Sequence, residues 1–266
     1  IFRKKLIKAK KSLGQNFLTD RDILEKITSI VPIKDKHILE VGPGTGNLTS
    51  FILKKAPRRL IVVEKDNDLA LNLEETFLDK LTVINRDILE IDEAKLSNNK
   101  MTVFGNLPYN ISTKILSKWI TSVKDIYWFD HLILMFQKEV ADRIVAQFNT
   151  SAYGRLSILA NWRLNINKIC DISPECFSPR PKIQSSLLHF TPKKDFAEIK
   201  DPINLEKITR IFFNHRRKML KKPFNQIFNG NTDLLNKFNL NLNLRPQNLD
   251  FETYYKLTIE YEKLRS

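Results

Sequence analysis

Between residues 37 and 64 the chain reads as a β-rich run, a glycine-rich turn, an amphipathic stretch and a second β-rich run. Few folds accept that order. The two runs are His37–Val41 and Leu60–Glu64, and the turn is Glu40-Val41-Gly42-Pro43-Gly44-Thr45-Gly46-Asn47. Glycines at such a place allow a tight turn and let a ligand approach the backbone where the unpaired N–H groups of a starting helix gather. Further β-rich runs follow at Leu81–Ile84, Met101–Phe104 and His131–Phe136, with amphipathic segments such as Asp68–Leu78 and Ser112–Ser122 between them. Strands that alternate with helices predict an α/β fold, a parallel sheet covered on both faces. Leu164–Ile172 and Ser185–Phe190 read as two more strands around a proline-rich loop, suited to an antiparallel pair at one side of the sheet. Asp20 is placed to cap a helix that carries Ile23, Ile27 and Ile30 at helical spacing.

The pattern changes near Thr191–Asp195. From Asn204 onward the periodicity is helical, with Leu205, Ile208, Phe212 and Met219 on one face and Arg210, Arg217, Lys218 and Lys221 on another. A last helix is expected after Asp250, a suitable N-cap, with Tyr254, Leu257, Tyr261 and Leu264 on one stripe. The expected division is therefore a large α/β domain over 1–192 and a small all-helical domain over 193–266 with one basic face.

Charge narrows the partner. The 266 residues hold 44 Lys and Arg against 30 Asp and Glu, a net charge of +14. Such an excess suits a polyanion, because each phosphate neutralised releases counterions. The cations cluster: Arg3, Lys4, Lys5, Lys8, Lys10 and Lys11 precede the first acidic residue, Asp20, and a second group runs Arg210, Arg216, Arg217, Lys218, Lys221, Lys222. Two cysteines, Cys170 and Cys176, make neither a disulfide framework nor a zinc pattern, and fit a reducing cytoplasm. The basic first residues lack the apolar stretch of a secretory signal, and no run is long enough to span a membrane.

A dinucleotide-binding turn requires its third glycine at position 47, which is Asn; the glycine stands at Gly46. The Gly-x-Gly-x-Gly turn, with Glu40 two residues before it, resembles instead the S-adenosylmethionine site of Rossmann-like methyltransferases. Glu64, ending the second run with Lys65 beside it, is placed to accept hydrogen bonds from ribose hydroxyls. At Asp87-Ile88 a carboxylate can bind an adenine amino group while the apolar neighbour covers the ring. The fourth run leads into Gly105-Asn106-Leu107-Pro108-Tyr109-Asn110. An adenine N6 lone pair is delocalised and a poor nucleophile. The amide oxygen of Asn106 and a nearby backbone carbonyl, each accepting one N6–H, favour a pyramidal nitrogen, and Pro108 stiffens the turn. Tyr109 offers a ring for stacking. Methyl transfer from a sulfonium needs no general acid, so alignment supplies most of the catalysis. A paired base has to be flipped to reach such a turn, and Phe177 in Phe177-Ser178-Pro179-Arg180-Pro181-Lys182 is the candidate opposite wall. The His-x-Glu and Pro-Cys-x-x-Cys signatures of zinc deaminases are missing, and His37, His131, His189 and His215 are scattered, so no metal is expected.

Taken in order, these motifs resemble the KsgA/RsmA ribosomal RNA adenine dimethyltransferases. Lys11-Ser12-Leu13-Gly14-Gln15-Asn16-Phe17-Leu18 is similar to that family's N-terminal motif, and the resemblance places Gln15, Asn16 and Leu18 at the cofactor's methionine end. It also assigns Glu40, Gly42, Gly44, Gly46, Glu64, Lys65, Asp87, Ile88 and Asn106 to the cofactor, and Asn106, Leu107, Pro108, Tyr109 and Phe177 to catalysis. Gln137-Lys138-Glu139-Val140 with Arg143, Tyr153-Gly154-Arg155-Leu156-Ser157, and Phe213 followed by Arg216-Arg217-Lys218 and Leu220 resemble the KsgA branch rather than the related Erm enzymes. The resemblance implies a seven-stranded methyltransferase sheet with a helical C-terminal domain. The activity implied is dimethylation of two adjacent adenosines in a hairpin loop near the 3′ end of small-subunit (16S) ribosomal RNA, during subunit assembly. Arg180, Lys182, Arg216, Arg217, Lys218, Lys221 and Lys222 are the expected RNA contacts. A cytoplasmic monomer that binds neither DNA nor membrane is expected. Two alternatives stay open: an Erm-like enzyme acting on large-subunit RNA, and a non-catalytic RNA-binding assembly factor.

Overall fold

The computed structural model describes residues 9–10, 14–123, 126–214 and 216–265. Most of the first basic cluster (Arg3, Lys4, Lys5, Lys8, Lys11), together with Ser12, Leu13 and His215, lies outside them. The chain groups into two compact units, a sheet unit and a helical unit of residues 120–122, 142–166 and 193–266.

The sheet unit begins with β1 (Phe17–Leu18) and α1 (Arg21–Ile27), whose N-cap Asp20 accepts a hydrogen bond from the Ile23 N–H. Then come β2 (His37–Val41), α2 (Asn47–Lys54), β3 (Arg59–Val63), α3 (Asn67–Phe77), β4 (Thr82–Ile84), β5 (Met101–Asn106), α4 (Ser112–Thr121), β6 (Phe129–Gln137) and α5 (Lys138–Val145). After α6 (Arg155–Arg163) the chain forms β7 (Leu164–Ile172), β8 (Phe177–Ser178) and β9 (Ser185–Pro192). Seven strands make one sheet in the order β4-β3-β2-β5-β6-β9-β7. The pairs from β4 through β6 are parallel, and β9 runs antiparallel to β6. Strands covered on both faces read as continuous apolar runs, which is why Arg-Leu-Ile-Val-Val and Leu-Ile-Leu-Met-Phe carry no alternation. Leu39, Val62, Val103, Phe104, Leu134 and Phe136 are fully buried along them. A separate two-strand ladder pairs β1 with β8, Leu18 facing Phe177. No helix among the described residues is long and apolar enough to cross a membrane.

The helical unit holds α6, α7 (Pro202–Phe213), α8 (Lys221–Phe228), α9 (Thr232–Lys237) and α10 (Phe251–Lys263). Asp250 caps α10 through the Thr253 N–H, and Tyr254, Leu257 and Tyr261 are buried on one stripe, while Leu264, just past the helix, is 58% exposed. Tyr254 meets Phe212 edge-on at 5.7 Å, and the Tyr255 hydroxyl donates to the Ile158 carbonyl. The expected single helix from Leu205 to Lys221 is broken. It ends at Phe213 and restarts at Lys221, so Arg217 and Lys218 stand on the connecting turn and Met219 is 56% exposed. Pro223 bars a helix that runs on through Met219, although the stop at Phe213 lies too far upstream to be its effect. In a continuous helix it offers no N–H to the Met219 carbonyl and its ring collides there, whereas in a first turn it is tolerated.

Candidate active site

The strand order reverses at β2. From there the chain moves outward through β3 and β4, then returns to place β5 on the other side. In open α/β sheets the crevice at the carboxyl ends of such strands is where ligands bind. Val41 pairs with Gly105, so the glycine turn and Asn106 leave the sheet side by side. A cleft of about 910 Å³, counting the space open to solvent, lies there.

One wall is the glycine turn. Gly44 has φ +59°, and a Cβ there falls 2.7 Å from the Phe17 ring. Gly42, also at positive φ, lies against the Asn106 carbonyl. The ends of β3 and β4 supply Glu64, Lys65, Asp87 and Ile88. Glu64 accepts from the Gly44 N–H at 3.1 Å and the Asp66 N–H at 2.9 Å, which ties the turn to the next strand. Burial raises the Glu64 carboxyl, and those two backbone bonds oppose the rise. The Lys65 ammonium, 2.8 Å from Asp87, holds that carboxyl below its ordinary range.

Gln15 and Asn16 close the cleft from the N-terminal segment. Gln15 donates to Asp66 at 2.9 Å and accepts from the Lys10 N–H, while the Lys10 ammonium bridges Asp66 and Asp68. Burial works against an ionised Asp66, but the bonds from Lys10 and Gln15 outweigh it and leave the carboxyl below its usual range.

The floor is Asn106 to Tyr109. The Asn106 amide nitrogen donates to the Asn16 carbonyl at 2.8 Å. Leu107 is buried, its side chain against the space that Gly105 leaves. The Pro108 carbonyl accepts from the Ile111 and Ser112 N–H groups, which begins the turn into α4. The Tyr109 hydroxyl shares a 2.7 Å hydrogen bond with Ser185, a fully buried residue of β9.

Three residues assigned to the cofactor lie outside this lining. Leu18 and Glu40 line a smaller adjoining cleft with Phe17 and Asn106. Glu40 is 1% exposed, accepts from the Thr49 hydroxyl at 2.7 Å, and is pushed up to about 8 by burial. Gly46, at φ +83°, is the N-cap of α2 against Phe77 and Leu73. Phe177 is 4% exposed and packs in the core cluster with Leu18 and Ile172. Arg180 is exposed and pairs with Glu175, and Lys182 is exposed. In the helical unit Arg217, Lys218, Lys221 and Lys222 are exposed, whereas Arg216 donates to the Ser151 carbonyl. Among the described residues no group of side chains has the make-up of a metal site.

Ser185, Asp66 and Phe17 were not anticipated as parts of the site. Each acts through a partner far away in sequence, and a lone Ser in a strand carries no pattern that marks it.

The family model for ribosomal RNA adenine dimethylase matches residues 6–263. The chain belongs to that family. Ribosomal RNA small subunit methyltransferase A of Pelagibacter ubique (strain HTCC1062) is 63% identical over 259 residues, 97% of this chain and 99% of the relative. The protein of the same name from Ehrlichia ruminantium (strain Gardel) is 40% identical over 255 residues, 94% of this chain and 95% of the relative. Among solved structures, a dimethyladenosine transferase from Plasmodium falciparum superposes with a TM-score of 0.80 at 26% identity, covering 93% of this chain and 98% of that one. The 23S rRNA methyltransferase ErmE shares the fold, with a TM-score of 0.69 at 19% identity over 93% of this chain and all of that one.

Proposed function

We propose that this chain methylates N6 of two adjacent adenosines in a hairpin loop near the 3′ end of small-subunit (16S) ribosomal RNA, giving N6,N6-dimethyladenosine during subunit assembly, with S-adenosylmethionine as donor. The observation that carries the reading is the anchoring of Asn106. Its amide nitrogen is engaged by the Asn16 carbonyl, which leaves the amide oxygen as the acceptor on the cleft side. The Pro108 carbonyl is already used by the turn into α4, so the Leu107 carbonyl is the second acceptor for N6. Two acceptors on one amine nitrogen turn its lone pair away from the ring system.

The cleft fits the donor. Its glycine turn permits backbone approach, and carboxylates stand at the ends of adjacent parallel strands, as a nucleoside with hydroxyl and amino groups requires. Glu64 is assigned to the ribose hydroxyls, Asp87 to the adenine amino group and Ile88 to the ring. Gln15, Asn16, Leu18, Gly42 and Gly44 are assigned to the methionine end, with Glu40, Gly46 and Lys65 supporting the turn and Asp87. When bound, S-adenosylmethionine supplies an electrophilic methyl group on a positively charged sulfur, so no residue has to act as a general acid. Tyr109, steadied by Ser185, offers its ring to the flipped base, a contact worth roughly 1–3 kcal/mol. Phe177 is assigned the opposite wall, a role that requires its buried ring to be uncovered when the base enters.

Residues 1–192 are assigned the chemistry and 193–266 contacts to RNA. The exposed Arg180, Lys182, Arg217, Lys218, Lys221 and Lys222 are assigned to phosphates, and Arg216, which ties its turn to the Ser151 loop, to the same basic face. The enzyme is proposed to act as a cytoplasmic monomer. A methylation assay with small-subunit particles, large-subunit particles, naked ribosomal RNA and DNA tests the substrate. Label confined to small-subunit RNA is expected, and label confined to large-subunit RNA contradicts the proposal.

A further inference from the structure

The carboxyl ends of the central strands carry the cleft, and their amino ends carry a row of cations. In the parallel register His37 faces both Arg59 and Met101. The residues just before them, Lys36, Arg58 and Lys100, are therefore neighbours across three adjacent strands, about 4.8 Å apart per strand. The loops knit together there: the Arg58 and Arg59 N–H groups donate to the Lys36 carbonyl, and the Asp35 N–H donates to the Ala56 carbonyl. Lys34, at the same edge, and Lys54, in the last turn of α2, add two more exposed cations.

Among the described residues the charge of this edge, like that of the 217–222 turn and unlike that of several other surface cations, is not balanced by ion pairs. Lys10, Lys65, Lys95 and Lys237 each sit against a carboxylate. Among the described residues no carboxylate pairs with Lys34, Lys36, Arg58 or Lys100. Asp35 is the one acid within the 34–36 loop, and Glu25 is held by Lys55. A row of unpaired like charges on a rigid sheet edge is a footprint for a polyanion backbone.

We infer that this edge, with Lys36, Arg58 and Lys100 at its centre, is a second RNA-contact surface that grips backbone phosphates of a ribosomal RNA segment other than the one entering the cleft. Strands of five or six residues separate the two by roughly 17–20 Å. The surface therefore anchors the particle and takes no part in chemistry. The inference rests on the proposed RNA substrate.

The test is the triple variant Lys36→Glu, Arg58→Glu, Lys100→Glu, assayed on undermethylated small subunits. A roughly tenfold rise in KM with kcat unchanged, and a salt dependence of binding shallower by about two to three units of slope, is the expected result. The Gln triple variant, with its fold checked by thermal melting, is expected to move both readouts in the same direction and guards against misfolding of the charge reversal. Wild-type KM and salt slope in both variants overturn the inference. Binding is measured apart from methylation. A wild-type protein that binds subunits but methylates nothing overturns the proposed function, while the slope comparison still decides the surface.

Discussion

Gly44 shows how narrowly a single residue defines the cleft. A methyl group at Gly44 meets the Phe17 ring at 2.7 Å and has to be carried at positive φ, so Gly44→Ala displaces either the turn or Phe17. A weakening of S-adenosylhomocysteine binding by about tenfold or more, read by calorimetry, is expected, equivalent to at least ~1.4 kcal/mol. Glu40 predicts a pH dependence. Its carboxyl is raised from 4.5 to about 8 by burial, so the folded protein keeps a proton that the unfolded chain releases. That contribution to stability is complete below the unfolded value and is lost as pH rises toward 8. Glu40→Gln, which keeps the contact with Thr49, is expected to flatten the fall in stability between about pH 5 and 8 in denaturant titrations. Asn106 and Glu64 were legible in the sequence because each ends a β-rich run at the rim of the sheet, and Asp87 because it follows the next run by three residues. The Asn16 carbonyl under Asn106 and the Ser185 hydroxyl on Tyr109 were not, because they depend on pairings between segments 90 and 76 residues apart.

At the scale of elements, the central strands β2, β3, β5 and β6 were legible as runs, since parallel strands buried on both sides lose their alternation and become uniformly apolar. The β1–β8 ladder was not. Two residues per strand are too few for any period, yet this ladder joins the N-terminal motif to the Phe177 loop. The helix expected through Leu205 and Met219 stops at Phe213, and Pro223, in the first turn of the next helix, bars continuous helix only through Met219. The last helix followed its cap. Asp250→Ala removes the acceptor for the Thr253 N–H and is expected to cost about 1 kcal/mol in denaturant unfolding, within the ~0.5–2 kcal/mol range of such caps. No change in stability contradicts the capping role.

For the whole molecule, net charge and motif order carry the most. A charge of +14 points to a polyanion without saying which, and family membership over residues 6–263 supplies the class. The exposed Arg217 and Lys218, on a turn rather than a helix, remain placed to meet phosphates. Replacing both with Ala is expected to weaken binding to ribosomal RNA and reduce its salt slope by about one unit for each phosphate that is no longer neutralised. An unchanged slope returns that turn to an ordinary solvated surface.

The Asn106 amide, anchored by the Asn16 carbonyl, is proposed to direct methyl transfer to adenine N6 in small-subunit RNA. This role is tested most directly by incubating wild-type protein and Asn106→Ala with labelled S-adenosylmethionine and undermethylated small subunits, then digesting the RNA to nucleosides. Labelled N6,N6-dimethyladenosine in the 3′-terminal fragment is expected with wild type, and a loss of at least ~100-fold with Asn106→Ala while cofactor binding is kept. Full activity in Asn106→Ala, or label on any nucleoside other than N6-methylated adenosines, contradicts that role.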